Sequence, residues 1–297
     1  MTYEAFALRV KPVTRMADVG AEQGYGQGPA HVTRGAKVAA LFMISVRSLT
    51  GALTLLGLLL LWWLLTNVTG IADPQRVPSP TDVVEAASQI LFEGYAGGTL
   101  LMQAFYSVRL VFLGFLVAVM TGVPLGLIMG LNRRFEALVN PAFLLVRPIP
   151  PLAWIPLAIV WFGLGDSAKI LVIWFAAFVP AVINSIAGVR NVNPVLIEAA
   201  RVHGGSRREI LTEVLLPGAM PMIFTGMRLS LQAAWTTLVA AELVGAFFGL
   251  GRVLMSAYRD INPAMIATAM IAVGLLGAAM MKLLALIERS VIRWRTV

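Results

Sequence analysis

The sequence contains no cysteine and only two histidines in 297 residues. Without cysteine, neither a disulfide bond nor a thiolate metal site can form. The two histidines, His31 and His203, lie far apart among polar residues and do not suggest a metal-binding pair. No combination of nucleophile and base is apparent either. We therefore expect neither a metal site nor a catalytic site in this chain.

Charged residues are also scarce, at 13% of the chain against 59% hydrophobic residues. Soluble domains carry about 25% charged residues, so this composition indicates an integral membrane protein surrounded by lipid. The net charge of +8 is then expected to mark cytoplasmic loops, where membrane proteins concentrate Lys and Arg. For that reason we do not predict nucleic acid as a partner.

A phosphate-binding P-loop is missing as well. That loop needs a glycine directly before its lysine, so that backbone N–H groups and the ammonium group can cradle phosphate oxygens. The four lysines follow Val, Ala, Ala and Met instead: Lys11, Lys37, Lys169 and Lys282. The chain itself is therefore not expected to be an ATPase.

The sequence does contain six apolar stretches of about the length that crosses a bilayer as a helix. They predict an all-α membrane protein with spans at about residues 50–68, 102–129, 139–163, 168–186, 222–245 and 265–287. Residues 48–297 would form this transmembrane domain, and an amphipathic helix at 81–93 is expected on its outer surface. Residues 1–47 are polar and mildly basic, and we expect a flexible cytoplasmic tail there, with a short interfacial helix near Lys37–Val46.

The third stretch is irregular because five prolines interrupt it: Pro141, Pro148, Pro150, Pro151 and Pro156. Proline removes a backbone donor and kinks a helix. In lipid, such a break is tolerated only where protein or a water-filled cavity receives the freed groups. The segment RPIPPLAWIP is therefore a candidate lining of a transport pathway.

The arginines predict how the spans are oriented. Six spans place both chain ends on one side, which also receives Arg133, Arg134, Arg190, Arg201, Arg207, Arg208, Arg289, Arg293 and Arg295. The opposite loops carry fewer, among them Arg76, Arg252 and Arg259. By the positive-inside rule, the N- and C-termini and the loop at 193–217 are cytoplasmic.

The loop at 193–217 is the longest polar, cap-rich passage between the apolar stretches. Asn193 and Pro194 favour the start of a first helix, and Gly204-Gly205 favours its end. Ser206 and Glu209 form a capping-box pattern that starts a second helix, which we expect to stop at Pro217-Gly218. The pattern predicts a rigid helix–glycine–helix elbow, suited to pressing into a partner.

This elbow carries a family resemblance. Glu198-Ala199-Ala200, then Gly204 and then Val214-x-Leu216-Pro217 resemble the EAA loop of permease subunits of bacterial ATP-binding-cassette importers, with Val for the usual Ile. The resemblance implies a type I importer permease (MetI-like) fold and ATPase coupling through Glu198, Ala199, Ala200, Gly204, Leu216 and Pro217. It also implies a permease homodimer in the bacterial inner membrane, two ATPase subunits that bind ATP and Mg²⁺, and a periplasmic or lipoprotein substrate-binding protein. This chain itself would hold no cofactor.

A narrower resemblance concerns the cargo. The segments RPIPPLAWIPLAIVWFGLGDSAKI and TTLVAAELVGAFFGLG, with the elbow, look like permeases of the nitrate/sulfonate/taurine/bicarbonate branch. The resemblance implies a small anion as substrate, with taurine or an alkanesulfonate first and nitrate or bicarbonate next. The external binding protein of such importers does most of the selecting.

Several residues in the spans are candidates for the pathway wall: Arg147, Trp154, Trp161, Asn184, Thr236, Thr237 and Glu242. Arg147 is permanently charged and suits an anion, and the alternative is an arginine that snorkels or pairs at the cytoplasmic end. Glu242 is an intramembrane acid, and the alternative is a structural partner of Arg109 or Arg147. For the others, the alternative is helix packing. Phe247, Phe248 and Leu250 form either an outer gate loop or a simple cap of the fifth span.

Three other functions compete with the ATP-driven permease. A secondary transporter would show matching broken spans in two halves, and only one span here is broken by proline. A membrane-embedded enzyme would need the catalytic groups that the chain lacks. A scaffold that anchors an ATPase without transport remains as the third alternative.

Overall fold

The computed structural model describes residues 34–68, 73 and 76–293, and side chains from Thr50 onward. The chain divides into two units, Met1–Leu58 and Leu59–Val297. In the described residues, the first unit consists of the beginning of α1 (Arg34–Asn67). The second unit contains the other helices: α2 (Pro80–Phe92), α3 (Leu100–Leu131), α4 (Arg133–Val146), α5 (Ile155–Phe162), α6 (Asp166–Arg190), α7 (Pro194–Val202), α8 (Arg207–Glu209), α9 (Leu216–Gly245), α10 (Leu250–Arg259) and α11 (Pro263–Val291). A 3₁₀ turn, Pro151–Trp154, precedes α5, and a π-helical segment, Ile210–Leu215, joins α8 to α9.

The predicted spans are confirmed as helices. In the described part of the chain, five helices are long and apolar enough to cross a membrane. The proline-rich stretch forms a bent pair, Arg133–Val146 and Pro151–Phe162, with an angle of 84° between its halves, and it supplies the sixth span if counted as one. The amphipathic helix predicted at 81–93 is α2. The interfacial helix predicted near Lys37–Val46 lies within α1, which begins at Arg34 and continues into the first span. Residues 1–33 of the predicted tail lie outside the described residues.

Helices α3 and α6 pack through a stripe of small residues. An added Cβ at Gly114 would lie 2.5 Å from the Ile173 side chain, and one at Gly126 would lie 2.5 Å from the Val182 carbonyl oxygen. Numbers rise together along both helices, so α3 and α6 run parallel. Small residues let helix backbones approach closely, which favours association in lipid, where burial of apolar surface gives no net drive. The sequence signal for this packing is the spacing of four residues between Gly114, Ala118, Gly122, Gly126 and Gly130.

Helices α6 and α9 pack antiparallel by similar means. A Cβ at Gly226 would lie 2.6 Å from the Asn184 Cβ, and the Ser230 hydroxyl donates to the Ala177 carbonyl oxygen at 2.6 Å. The largest buried cluster joins α3, α6, α9 and the end of α11. Because the backbones are so close, α3, α6 and α9 form one rigid group.

The connections define two ends of this group. At one end, here called the elbow end, α7 and α8 link the end of α6 to the start of α9. At the other end, here called the distal end, lie the start of α3, the end of α9, all of α10 and the start of α11. Helix α2 packs there against α10 and α11 through Ile90, Val253 and Met265, which are fully buried.

Candidate functional site: the elbow and the distal polar cluster

The first elbow helix begins and ends as its sequence predicts. The Asn193 side chain accepts a hydrogen bond from the Val195 N–H at 3.0 Å, and Pro194 is the first helical residue. At the other end, Gly204 has a φ of +81°. The Gly205 N–H donates to the Ala200 carbonyl at 2.9 Å and the Gly204 N–H to the Arg201 carbonyl at 3.0 Å. These two bonds form a Schellman motif, which explains why glycine is needed at 204.

The second elbow helix also begins as predicted. The Ser206 hydroxyl accepts from the Glu209 N–H at 3.3 Å, while the Glu209 carboxylate accepts from the Ser206 N–H at 2.7 Å. This reciprocal pair is a capping box, which satisfies two backbone donors that a helix start leaves open. Both ends of the joint are therefore held by hydrogen bonds within the elbow itself.

The predicted stop at Pro217-Gly218 is wrong. The chain stays helical from Arg207 to Gly245, because the π-helical segment Ile210–Leu215 leads directly into α9. The Leu216 N–H donates to the Leu211 carbonyl, five residues back. Pro217 follows this wider turn directly, and a residue without an N–H is tolerated where the regular i−4 hydrogen bonds are already interrupted. The elbow is thus continuous with the fifth span.

The surface of α7 is left uncovered by the rest of the described chain. None of its residues is buried, and Val195, Leu196 and Val202 are 63%, 55% and 85% exposed. Glu198 and Ala199 are exposed too, and Ala200 is half-buried. A short helix that exposes large aliphatic side chains beyond the apolar spans is typical of an interaction surface.

The proline-broken segment places its predicted residues apart. Arg147 is exposed at the end of α4 and makes no ion pair in the described chain. Trp154 packs its ring on Phe175 of α6, with 4.7 Å between ring centroids, while Trp161 is 58% exposed on α5. Trp154 therefore fixes the bend against α6, and Trp161 faces outward from this chain.

Glu242 is the centre of a buried polar cluster at the distal end. It is 1% exposed and accepts hydrogen bonds from the Ser107 hydroxyl at 2.8 and 3.0 Å and from the Gly251 N–H at 2.8 Å. The Ser107 hydroxyl also accepts from the Leu250 N–H at 2.9 Å. The predicted pairing of Glu242 with an arginine is wrong for the described residues, because Arg109 and Arg147 are exposed and the carboxylate binds a hydroxyl and a main-chain amide instead.

The same cluster holds the start of α10. The Gln103 side-chain oxygen accepts from the Gly249 N–H at 2.6 Å. A Cβ on Gly249 would lie 2.1 Å from the Glu242 carboxylate, so the backbone must approach that group without a side chain. Three otherwise unpaired N–H groups at the helix start are satisfied in this way, by side chains of α3 and α9. This anchoring fixes residues 247–250 as the entry to α10, a helix that the sequence did not predict.

Two long-range contacts complete the distal end. The Tyr95 hydroxyl donates to the Asp260 carboxylate, which ties the turn before α3 to the turn before α11. Burial and this carboxylate raise the pKa of Tyr95. The ring of Phe248 stacks on Tyr106 at 5.0 Å. The signal for the cluster was present in α3, where Gln103 and Ser107 lie four residues apart on one face of an apolar helix.

The remaining candidates belong to helix packing or to outer surfaces. Asn184 donates to the Pro180 carbonyl at 2.9 Å and packs on Gly226. Thr236 is exposed and donates to the Gln232 carbonyl, one turn back, while Thr237 is 6% exposed inside the bundle. The seven predicted pathway residues therefore do not converge on one site within this chain.

Comparison with known proteins decides the family. Residues 122–295 match the family model described as binding-protein-dependent transport system inner membrane component. The chain belongs to this family. It is 40% identical over 205 residues to the taurine transport system permease protein TauC of Escherichia coli (strain K12), which covers 69% of this chain and 74% of that protein.

Other relatives point to the same branch of these permeases. The putative aliphatic sulfonates transport permease protein SsuC of Bacillus subtilis (strain 168) is 32% identical over 78% of this chain and 83% of its own length. The bicarbonate transport system permease protein CmpB of Synechococcus elongatus is 32% identical over 80% of this chain and 87% of its own length. The predicted resemblance is confirmed at the level of family and branch.

A solved structure supports the predicted fold of the permease. An inward-facing conformation of the MetNI methionine ABC transporter aligns with a TM-score of 0.53 and 23% identity, covering 67% of this chain and 96% of that chain. At this identity the likeness concerns the fold alone. The protein is thus a multi-pass membrane permease, and the matched residues include both the elbow and the greater part of the distal polar cluster.

Proposed function

We propose that this permease is the transmembrane subunit of an ATP-driven, binding-protein-dependent importer for a small anion, in the bacterial inner membrane with both termini in the cytoplasm. It works as a homodimer with two ATPase subunits, which bind ATP and Mg²⁺, and with an external substrate-binding protein. The observation that carries the proposal is the structure of the elbow. It exposes an aliphatic face, its two helices are capped by hydrogen bonds, and its second helix is continuous with α9.

The coupling residues of the elbow are Glu198, Ala199, Ala200, Gly204, Leu216 and Pro217. Helix α7 follows α6 after three residues, and α8 runs through the π-helical segment into α9. A force applied to the elbow therefore acts on α6 and α9 at once. Because α3, α6 and α9 pack in near backbone contact, the group tilts as one body when the paired ATPases close on ATP, and the pathway opens at the distal end.

The names of the relatives support the proposed cargo. Those described above are named for transport of taurine, aliphatic sulfonates and bicarbonate. Taurine or an alkanesulfonate comes first because the taurine permease has the higher identity, and nitrate or bicarbonate comes next. These solutes share negatively charged oxygens that accept several hydrogen bonds.

The test measures how many solute molecules enter reconstituted vesicles for each ATP hydrolysed by the complete complex. Valine at Gly204 (Gly204→Val) cannot hold a φ of +81° without strain and should disorder the joint, so hydrolysis continues while uptake falls at least tenfold. Gly97→Val is the control, since Gly97 has a φ of +90° and open space but lies outside the elbow. It should keep uptake and hydrolysis in proportion.

Three results would overturn the proposal. Normal uptake per ATP in the Gly204→Val complex would show that the elbow does not couple the two processes. Solute uptake by the permease alone, driven by a proton or sodium gradient, would instead favour a secondary transporter. Hydrolysis that no solute stimulates, without any uptake, would favour a scaffold.

A further inference from the structure

A cavity of about 240 Å³ opens at the distal end, beside the Glu242 cluster. Its polar lining comes largely from α10, through Arg252, Ser256 and Arg259. These residues are spaced i, i+4 and i+7, which places them on one face of a helix. Two guanidinium groups and a hydroxyl, all of them hydrogen-bond donors, therefore face one cavity.

The position of Arg252 is fixed by the main chain. Its Nε donates to the Ala96 carbonyl oxygen at 3.2 Å and its Nη1 to the Ala246 carbonyl oxygen at 3.0 Å. A guanidinium carries five N–H donors, so three remain after these two bonds. The half-buried side chain is held between two turns and keeps three N–H donors for a ligand.

No carboxylate in the described chain neutralises these arginines. The ion pairs of the described residues involve Arg76, Lys169, Arg190 and Arg228. Glu242, which also lines the cavity, is 1% exposed, and its oxygens are engaged by Ser107 and Gly251. Two guanidinium groups that line one cavity without a carboxylate partner give it a positive potential, which attracts anions.

The rest of the lining is apolar: Leu164, Leu243, Val244, Phe247 and Met255. A cavity with donors on one side and apolar walls on the other fits an oxyanion that carries a short apolar body. We propose that the cavity is an entry site, named here the distal anion site, in which Arg252, Ser256 and Arg259 receive the charged oxygens of the solute. An alkanesulfonate matches both halves of the lining. This inference rests on the proposed function and deepens it by naming where the anion first meets the permease.

The neighbouring surface has the opposite character. Helix α2 and the residue after it present Asp82, Glu85 and Glu93 around a second, open depression at the same end. Ser88 lies among these acids and is exposed. Ser256 therefore lies in basic surroundings and Ser88 in acidic surroundings, at the same end of the protein.

The absence of cysteine allows a direct test on the full chain in lipid nanodiscs. Ser256→Cys and Ser88→Cys each introduce a single thiol into the chain. Each variant is treated with 2-sulfonatoethyl methanethiosulfonate, which is an anionic sulfonate, and with its trimethylammonioethyl counterpart, which is cationic. The thiolate displaces methanesulfinate and forms a mixed disulfide in both reactions, so the ratio of the two rates measures the local preference for charge.

We expect the anionic-to-cationic rate ratio of the Ser256→Cys variant to exceed that of the Ser88→Cys variant by about tenfold or more, as charge-lined clefts concentrate ions of opposite sign. Methanesulfonate, against an equal concentration of chloride, should slow labelling of the Ser256→Cys variant and leave labelling of the Ser88→Cys variant unchanged. Equal ratios in the two variants, or equal protection, would overturn the proposal.

Charge variants identify the residues responsible. In the Ser256→Cys background, Arg259→Gln should lower the rate ratio several-fold, while Arg76→Gln, an exposed arginine outside the cavity, should not change it. Arg252→Lys keeps the charge but loses the planar fork, so it should weaken protection by methanesulfonate. If neither Arg259→Gln nor Arg252→Lys alters protection, the arginines do not bind the anion.

The outcome is independent of the coupling test. Loss of the charge preference together with normal ATP-coupled uptake would remove the distal anion site and leave the proposed function standing. A preserved charge preference without ATP-dependent uptake would do the reverse.

Discussion

The two ends of the helix bundle are built on different principles. Within the elbow, the hydrogen bonds that fix the joint connect residues no more than five positions apart, as in the Schellman motif at Gly204 and the capping box at Ser206. At the distal end, the bond between Ser107 and Glu242 spans 135 residues. The elbow therefore keeps its shape through its own sequence, while the distal end exists only once α3, α9 and α10 have assembled.

The largest expected effect tests this difference at the buried carboxylate. Glu242→Ala removes the acceptor for the Ser107 hydroxyl and the Gly251 N–H, and both groups are buried. Leaving two buried donors unpaired should lower the free energy of unfolding by about 3 kcal/mol. Thermal unfolding in detergent measures the loss.

Glu213→Ala provides the matched control at the elbow end. Glu213 is exposed in the same continuous helical run, so its removal should change the free energy of unfolding by less than about 0.5 kcal/mol. Similar losses in the two variants would mean that the distal cluster is not a special source of stability.

The second prediction compares glycines at the two ends. A Cβ at Gly251 would lie 2.5 Å from the Glu242 Cβ and 2.8 Å from the Val239 carbonyl oxygen, so Gly251→Ala must shift the backbone. We expect a loss of about 2 kcal/mol in the free energy of unfolding. Gly204→Ala meets no atom within 4 Å and suffers only from its positive φ, which should cost about 1 kcal/mol.

The test is which variant, Gly251→Ala or Gly204→Ala, loses more free energy of unfolding. A larger loss for Gly204→Ala would show that the strained backbone conformation at the elbow costs more than the lack of space at the distal end, against the expected order. Gly274→Ala serves as the control for a helical glycine with open space, and it should be neutral or slightly stabilising.

The smallest predicted effect concerns the elbow alone. Ser206→Ala removes the capping hydroxyl and should weaken the elbow locally by about 1 kcal/mol. Hydrogen exchange should then accelerate at the amides of 207–209 without a change in the melting temperature, because the elbow opens separately from the packed core. Ser290→Ala, in the last turn of α11, should leave that exchange unchanged. A fall in melting temperature for Ser206→Ala would show that the two ends unfold together.

Some of the predicted features depend only on residues nearby in the sequence, and others depend on contacts between distant helices. The six apolar stretches and the start and end of α7 followed from local signals, namely hydropathy, Asn193, Pro194 and Gly204. The stop at Pro217 failed because the preceding π-helical segment already interrupts the regular i−4 hydrogen bonds, so that a proline is tolerated there. An arginine partner, one of the two alternatives for Glu242, is not found in the described residues, because the Ser107 hydroxyl and the Gly251 amide of an unpredicted helix bind that carboxylate.

The sequence alone determined the membrane class, the number of apolar stretches and the elbow, because each depends on composition or on hydrogen bonds between near neighbours. Only the tertiary structure decided that α10 forms as an anchored helix and that Glu242 accepts a hydrogen bond from its first turn. The same assembly placed Arg252, Ser256 and Arg259 around one cavity. The physical reason is that a buried polar group takes whichever partners the packed helices bring within about 3 Å, and close crossings such as that of Gly126 with Val182 determine which helices meet.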